Sequence, residues 1–202
     1  MMDELTVLQA VRLKGRVRPA ALAATLDEDE ATVNSAVQQL TGADLVAGGS
    51  TVRLSPAGRA RLTELLAVER HDLDGDTIMR SYAEFRSVNR DFKSLVSDWQ
   101  LNNGEPNDHT DPDHDAAVLC RLDDVHRAVL PILAAVAAQL PRLDAYTDKL
   151  SAALERIRAG DTSWFTRPLV DSYHTVWFEL HEELIGAAGL TRADEADAGL
   201  DE

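Results

Sequence analysis

Five of the six histidines lie in the second half of the chain, and an imidazole is the side chain best suited to metal binding or proton transfer near neutral pH. His174 and His181 are seven residues apart and therefore share one face of a helix. Asp171 lies one turn before His174. Histidines with a carboxylate can bind zinc or a small anion inside a helical bundle, so a divalent metal at this pair is one hypothesis. The alternative is that both imidazoles hydrogen-bond within a packed core, and we expect no resident cofactor.

Aromatic side chains accompany these histidines and could line a pocket for a small-molecule effector. The alternative is that they are ordinary core residues, which is the commoner role of buried aromatics. The candidate ligand-binding residues are Trp99, Asn107, His109, His126, Tyr173, His174, Trp177 and His181.

The sequence lacks the motifs that mark common catalytic sites. It contains no glycine-rich phosphate loop, no nucleophile elbow and no HExxH pattern. Cys120, the only cysteine, and His126 are six residues apart, which places them on different sides of a helix. We therefore expect that the chain is not an enzyme.

Apolar residues at helical spacing predict that the region carrying these candidates, residues 75–192, is a helical bundle. Pro131 is expected to kink or split one of its helices. The acidic, small-residue-rich segment 193–202 is expected to be a frayed tail. The expected segments are a helix from about Thr77, a loop over 102–112, a helix over 114–140, a helix from Pro141 to Ala159-Gly160, and a last helix from near Pro168.

The first 74 residues predict a different arrangement, in which three helices are followed by a β-hairpin and a fourth helix. Asp27 and Glu30 have the form of a capping box for the third helix, and Ser55-Pro56 has the form of a helix start. The fourth helix, 56–74, is expected to run nearly continuously toward the second domain. The other expected segments are a helix over 3–14, a helix from Pro19 to near Leu26, a third helix to about Thr41, and strands over 45–47 and 51–54 around Gly48-Gly49-Ser50.

This ordered set resembles the winged helix-turn-helix domain of MarR-type transcriptional regulators. The resemblance covers about a third of the chain, and the Leu-Ser-Pro-Ala-Gly-Arg junction after the hairpin is its most specific piece. It implies a mainly α fold with a short β-hairpin, double-stranded DNA as partner, and a homodimer. The matching stretches are Leu22–Leu26, Val33–Leu40, Leu45-Val46 and Leu54–Arg59.

In a helix-turn-helix domain the second helix of the motif enters the major groove, which here is the third helix. Amide and hydroxyl side chains on it can hydrogen-bond to base edges, and basic residues around it can contact phosphates. The candidate base contacts are Thr32, Asn34, Ser35, Gln38 and Gln39. The candidate phosphate contacts are Lys14, Arg16, Arg18, Arg53, Arg59 and Arg61.

The third helix departs from the family pattern because it carries no Arg or Lys, and Glu28, Asp29 and Glu30 stand at its start. Carboxylates there favour the helix dipole but oppose a phosphate backbone. The alternative function is therefore a winged-helix accessory module that contacts protein and does not bind DNA.

A second resemblance covers about residues 80–190. The stretches Ser97–Gln100, Asn107–His109 and Asp171–Glu182 are similar to a helical segment of actinobacterial proteins that accompanies winged helices. That segment sometimes occurs beside enzymes like pyruvate phosphate dikinase, which use phosphoenolpyruvate. The resemblance implies a kind of domain rather than an activity, and it makes such an enzyme the possible partner of the accessory module.

Charge also divides the chain into two parts. The net charge is −15, yet residues 1–70 hold 8 Lys and Arg against 9 Asp and Glu, whereas residues 71–202 hold 12 against 26. A polyanion is tolerated by the first part and repelled by the second. We expect a DNA-binding domain over 1–74 and an acidic domain over 75–192 that dimerises and senses a ligand.

Three sequence features predict a cytoplasmic protein with no membrane partner. No apolar run approaches the roughly 20 residues needed to span a bilayer. The N-terminus, Met1–Glu4, has no signal-peptide pattern, and a single cysteine excludes an internal disulfide.

Overall fold

The computed structural model describes residues 2–191 and Asp194. These residues are mainly helical, with two small antiparallel hairpins. They separate into two compact units, of which the N-terminal unit ends at Leu73 and the C-terminal unit begins at Asp74. None of the described helices is both long enough and apolar enough to cross a membrane. The predicted frayed tail over 193–202 lies outside the described residues, Asp194 apart.

The N-terminal unit consists of three helices, a hairpin and a fourth helix, in the predicted order. Its core is aliphatic and draws on every element, with Leu8, Leu22, Val33, Val52 and Leu62 among the fully buried side chains. The elements are α1 (Glu4–Lys14), α2 (Pro19–Leu26), α3 (Glu30–Gly42), β1 (Val46–Gly48), β2 (Val52–Leu54) and α4 (Pro56–His71).

The start of α3 differs from the prediction. Asp29 is its N-cap, and Asp29 Oδ1 accepts a hydrogen bond from the Thr32 backbone N–H at 3.0 Å. The predicted capping box from Asp27 to Glu30 is wrong, because Asp27 ends α2 in a left-handed conformation with φ of 52°. By contrast, Ser55 caps α4 as predicted, accepting a hydrogen bond from Gly58 N at 2.9 Å.

Helix α4 ends earlier than the sequence suggested. It stops at His71, and residues 72–74 are not α-helical before the next helix begins at Gly75. Residues 72–74 therefore interrupt the helix that was expected to run nearly continuously toward the second domain. Asp74 instead caps the following helix, where its carboxylate accepts a hydrogen bond from Asp76 N at 3.2 Å.

The C-terminal unit is a bundle built around two 26-residue helices. Buried aromatic rings from several helices fill its centre, including Phe85, Phe92, Phe165, Tyr173 and Trp177. Its elements are α5 (Gly75–Gln100), β3 (Leu101–Asn102), β4 (Glu105–Pro106), α6 (Pro112–Ala137), a 3-10 turn (Pro141–Leu143), α7 (Ala145–Arg158), α8 (Ser163–Thr166) and α9 (Tyr173–Ala187).

Four features of this unit differ from the sequence-based expectation. The loop over 102–112 contains the hairpin β3–β4, and Pro141 opens a 3-10 turn before α7. Helix α9 begins at Tyr173 rather than near Pro168, because Ser172 is its N-cap. Pro131 does not split α6: it lies on an exposed position inside the helix, where water can satisfy the carbonyl that loses its N–H donor.

Candidate functional site

The outward face of α3 presents short polar side chains without charge. Its apolar positions Val33, Val37 and Leu40 are buried, whereas Ser35 and Gln38 are exposed on the opposite side. Asn34 is half-buried, and Gln39 is exposed. These side chains can donate and accept hydrogen bonds at a base edge.

Thr32 is less available than the sequence suggested. Its hydroxyl donates a hydrogen bond to the Asp29 carboxylate, and its backbone N–H bonds to the same carboxylate. The two hydrogen bonds from Thr32 hold the pKa of Asp29 below its usual value. Thr32 is therefore part of the cap of α3 in this structure.

An isolated β-bridge brings together basic residues from distant parts of the N-terminal unit. Val17 N donates to Val52 O at 3.0 Å, and Val52 N donates to Val17 O at 2.8 Å, with both valines buried. Arg16 and Arg53 are each the chain neighbour of one valine of this bridge, and both are exposed. Arg18 flanks the same bridge and is also exposed. We call Arg16, Arg18 and Arg53 the arginine edge.

No ion pair joins the arginine edge to a carboxylate within the part of the chain that the structure describes. The other predicted phosphate contacts already have interaction partners of one kind or another. Arg59 Nη1 donates to the Leu54 carbonyl at 3.2 Å, and Arg61 Nε pairs with Glu4 at 2.9 Å. Lys14 is half-buried and already has an interaction partner.

Four consecutive acidic residues, Asp27–Glu30, are all exposed where α2 ends and α3 begins. They lie at the N-terminal end of α3, where they repel a polyanion. The same four carboxylates would favour a basic partner.

In the C-terminal unit the eight predicted ligand-binding residues do not form one site. His174, Trp177 and His181 line a groove between α5 and α9. His126 and Tyr173 form a buried pair, in which the Tyr173 ring also stacks on Trp177 with centroids 6.0 Å apart. Trp99, Asn107 and His109 gather around the loop after β4. The eight residues predicted to form one pocket therefore fall into three groups.

The groove between α5 and α9 encloses about 320 Å³. Sequence analysis missed the whole of its α5 side, which includes Asn89, Phe92 and Lys93, and it missed Phe178 on α9. The spacing of Asn89, Phe92 and Lys93 places them on one face of α5. No signal in the neighbouring sequence indicates which face of α9 they contact.

Trp177 is held rigidly in the wall of this groove. Its indole Nε1–H donates to Asn89 Oδ1 at 2.8 Å. Its ring stacks on Phe92 with centroids 4.4 Å apart, and on Phe85 at 5.2 Å. His181 packs against Phe85 at 5.4 Å and is buried, so it lies at the floor of the groove.

His174 lies at the mouth of the same groove and is exposed. Its imidazole stacks on Phe92 with centroids 6.1 Å apart, and this partial desolvation lowers the pKa of His174 below its usual value. No described residue hydrogen-bonds to its ring nitrogens.

The second group ties the loop after β4 to the start of α6. Asn107 Nδ2 donates to the Trp99 carbonyl at 3.1 Å and to Asp115 Oδ1 at 2.9 Å. His109 Nδ1 lies 3.0 Å from Asp115 Oδ2, and its ring packs on Trp99 with centroids 4.5 Å apart. The polar side chains of Asn107, His109 and Asp115 therefore anchor the loop to the start of α6.

The third group is a buried polar pair. His126 Nδ1 lies 3.2 Å from the Tyr173 hydroxyl. Burial lowers the pKa of His126 and Arg158 lowers it further, against an opposing effect of Asp123. Burial also raises the pKa of Tyr173, so the phenol stays protonated and can donate to the neutral imidazole.

Within the described ranges, 2–191 and Asp194, no three His, Cys, Asp or Glu side chains are placed to hold a metal ion together. The hypothesis of a metal at His174 and His181 thus lacks a third ligand among these residues. Comparisons with models of protein families, with curated proteins and with solved structures found no match to this chain. Among the described residues, the α3 face with the arginine edge and the groove between α5 and α9 are candidate binding surfaces.

Proposed function

We propose that the N-terminal unit is a winged helix-turn-helix domain that binds double-stranded DNA, and that the chain is a transcriptional regulator. The order of elements supports this, because α2, α3 and the hairpin β1–β2 follow each other in the order in which a winged helix carries its helix-turn-helix and its wing. The bridge between Val17 and Val52 supports it further, since it ties the segment before α2 to the wing.

The arginine edge is the observation that carries the proposal. Arg16, Arg18 and Arg53 flank one β-bridge and are exposed, and no carboxylate among the described residues pairs with them. A phosphate backbone would supply the missing negative charge, and guanidinium groups bind phosphate in bidentate geometry.

Sequence would be read by the exposed face of α3 in the major groove. Gln38 and Asn34 can pair with adenine in bidentate geometry, and Ser35 can contact a base or a phosphate. With no cation on this helix, affinity depends on the arginine edge more than on α3.

The decisive experiment is a gel-retardation titration of the full chain with DNA from upstream of its own gene at low salt. The test variant is Arg16→Gln with Arg53→Gln. The matched control is Arg90→Gln with Arg167→Gln, which removes two exposed arginines of the C-terminal unit and changes the net charge equally.

We expect the wild type and the control to retard the DNA and the test variant to bind at least about tenfold more weakly, since two charge-assisted contacts are lost. Equal weakening by both double variants would mean that only net charge matters. No retardation of any variant would overturn the proposal.

The C-terminal unit would dimerise the protein and sense an effector in this proposal. A dimer would present two copies of α3 to two half-sites about one helical turn apart. The mass of the protein–DNA complex in analytical ultracentrifugation tests this: two chains per duplex are expected, and one chain would contradict a dimer.

The exposed acidic run Asp27–Glu30 favours a second candidate function, an accessory module that contacts a basic protein surface instead of DNA. The two functions predict opposite effects of Glu28→Gln with Glu30→Gln. This change would tighten DNA binding by removing repulsion, whereas it would weaken binding of a basic partner.

A further inference from the structure

The turn between β3 and β4 carries the only Asn-Gly pair in the sequence. Asn103 and Gly104 both have positive φ, of 54° and 85°, which is the backbone of the tight hairpin turn that Asn-Gly prefers. They connect Asn102 to Glu105, which pair across the hairpin. Both turn residues are exposed, so the pair is presented to solvent at a hairpin tip.

The chemistry of an Asn-Gly pair is that of an electrophile next to a nucleophile. Asparagine is thermolabile because the backbone nitrogen of the following residue can attack its side-chain amide carbon. The new bond closes a succinimide ring, the bond from Cγ to Nδ2 breaks, and the nitrogen leaves as ammonia with the proton of the attacking N–H. Water then opens the ring at either carbonyl, which gives aspartate or isoaspartate.

Gly104 leaves this attack unobstructed. It has no side chain that would crowd the ring. No described residue accepts a hydrogen bond from its backbone N–H, and nothing lies within 4 Å of the position that a Cβ would occupy. The other asparagines precede residues with side chains, which are Ser35, Arg90, Asn103 and Asp108.

The folded turn is what slows the attack. Asn103 Nδ2 donates a hydrogen bond to Asn102 Oδ1 at 3.0 Å, so the amide is bonded toward the preceding residue. The ring closes only when this side chain folds back over the peptide bond to Gly104, which requires the turn to open. Strands of two residues hold the hairpin weakly, so it opens while α5 and α6 stay folded.

A second pair with the same potential chemistry is protected by its structure. Asp74-Gly75 could form the same ring with loss of water. However, Asp74 is the N-cap of α5, and its carboxylate accepts hydrogen bonds from Asp76 N and the Thr77 hydroxyl. The hydrogen bonds from Thr77 hold the pKa of Asp74 below its usual value, and an ionised carboxylate resists nucleophilic attack.

We propose that Asn103 is a site of spontaneous covalent modification, at which the Gly104 nitrogen displaces the side-chain amide. Both products carry a new negative charge beside Glu105. In the isoaspartate product the main chain passes through the side-chain carbon and gains an atom, so the turn can no longer keep the register of β3 and β4. The inference does not depend on DNA binding by the N-terminal unit.

The test is incubation of the full chain at mildly alkaline pH, followed by peptide mapping in a mass spectrometer. Alkali helps to remove the proton of the attacking nitrogen. We expect Asn103 to gain the mass difference between an amide and an acid at least about tenfold faster than Asn34 or Asn89. Conversion of Asn103 at the same rate as these two, or no conversion, would overturn the proposal.

Enzymatic methylation that is specific for isoaspartate separates the role of the structure from that of the sequence pair. We expect isoaspartate to accumulate at Asn103 and not at Asp74, because the Asp74 carboxylate is bonded as a helix cap. Isoaspartate at Asp74 as fast as at Asn103 would contradict the role given to the fold.

The sharpest variant is Asn103→Gln. Its additional methylene requires a larger ring, so we expect modification at this position to disappear. The matched control is Asn34→Gln, which removes an asparagine from α3 and should leave the rate at Asn103 unchanged. An Asn103→Gln chain that still accumulates isoaspartate in the peptide spanning the turn would refute the assignment of the site.

The consequence for the hairpin has its own readout. Asn107 N donates to Gln100 O at 2.8 Å, which continues the pairing of β3 and β4. We expect hydrogen exchange at this N–H to be severalfold faster in the isoaspartate product. Asn103→Asp adds the same charge without lengthening the main chain, so its exchange should match that of the wild type. Equal exchange in the isoaspartate product and in Asn103→Asp would contradict the loss of register.

Discussion

The ion pairs Arg142–Glu183 and Arg127–Asp124 join the same groups in very different surroundings. The side chains of the first pair are 15% and 4% exposed, and those of the second are 73% and 63% exposed. Arg142→Met would leave the Glu183 carboxylate buried without its cation, so we expect it to lower the free energy of unfolding by about 3–5 kcal/mol. Urea denaturation of the full chain measures this.

Arg127→Met is the matched control and should cost about 0–1 kcal/mol, because water already solvates that exposed pair. The double variant Arg142→Met with Glu183→Leu should recover most of the loss, since no uncompensated charge is then buried. Equal costs for the two single variants would contradict this account.

His126 makes the stability of the C-terminal unit depend on pH. Its pKa in the folded protein is lowered from 6.5, first by burial and then by Arg158. Below pH 6.5 the unfolded chain binds a proton that the folded imidazole resists, so stability falls as the pH drops from about 6.5 through the folded pKa. His126→Gln should flatten this dependence between pH 7.5 and 5.5, measured by urea unfolding.

His71→Gln is the control for this pH dependence, because His71 is exposed at the end of α4. Its removal should leave the slope of the wild type unchanged. The imidazole proton signals of His126 in NMR titration check the direction independently. An apparent pKa at or above 6.5 for His126 would refute the proposed desolvation.

We expect a glycine-to-alanine change to have opposite effects on stability at Gly58 on α4 and at Gly42 at the end of α3. A Cβ on Gly58 would lie 1.9 Å from the Leu45 carbonyl oxygen, so α4 can pack against the chain entering the hairpin only through a glycine. Nothing lies within 4 Å of a Cβ on Gly42. We expect Gly58→Ala to destabilise by about 2 kcal/mol or more.

The paired variant Gly42→Ala should instead stabilise by about 0.4–1 kcal/mol, because alanine restricts the unfolded chain. Thermal unfolding of both variants tests the contrast. A neutral effect of Gly58→Ala would mean that Leu45 and α4 can separate at little cost.

The elements that sequence analysis located correctly are those with local signals. Ser55-Pro56 predicted the start of α4, because the cap and its backbone donor are three residues apart. The start of α3 was placed on the wrong aspartate, since four adjacent acidic residues offer more than one local cap, and Asp27 is instead the left-handed C-cap of α2. Pairing between Val17 and Val52 had no local signal at all, because the bridge joins segments 35 residues apart.

The groove illustrates the same limit at the scale of two helices. His174, Trp177 and His181 were predicted because they share a face of α9, which is a periodicity within one helix. Asn89 was missed because its role depends on the hydrogen bond to Trp177, 88 residues away. Sequence periodicity identifies which residues share one face of a helix. Only the packing of the helices shows which face of another helix lies opposite.

For the whole chain, the distribution of charge determines the salt dependence that we expect of the proposed DNA binding. Residues 71–202 carry 14 more acidic than basic residues, so they add repulsion and no phosphate contacts. Arg61 is in an ion pair with Glu4, so five of the predicted phosphate contacts are left. Three of them form the arginine edge, and the other two are Lys14 and Arg59. Binding should therefore be weaker and less steeply salt-dependent than that of a strongly basic DNA-binding domain.

We predict a slope of log K against log salt concentration between about −2.7 and −4.5 per chain, because each neutralised phosphate contributes about −0.9. The lower magnitude corresponds to Arg16, Arg18 and Arg53 alone, and the higher includes Lys14 and Arg59. Arg16→Gln with Arg53→Gln should reduce the magnitude by about 1.8, whereas Arg90→Gln with Arg167→Gln should leave it unchanged.

Fluorescence anisotropy between 50 and 200 mM salt, about the range over which such losses become large, measures all three slopes. A wild-type slope that the arginine-edge variant leaves unchanged would place the phosphate contacts elsewhere on the protein, because α3 itself carries no cation to replace them.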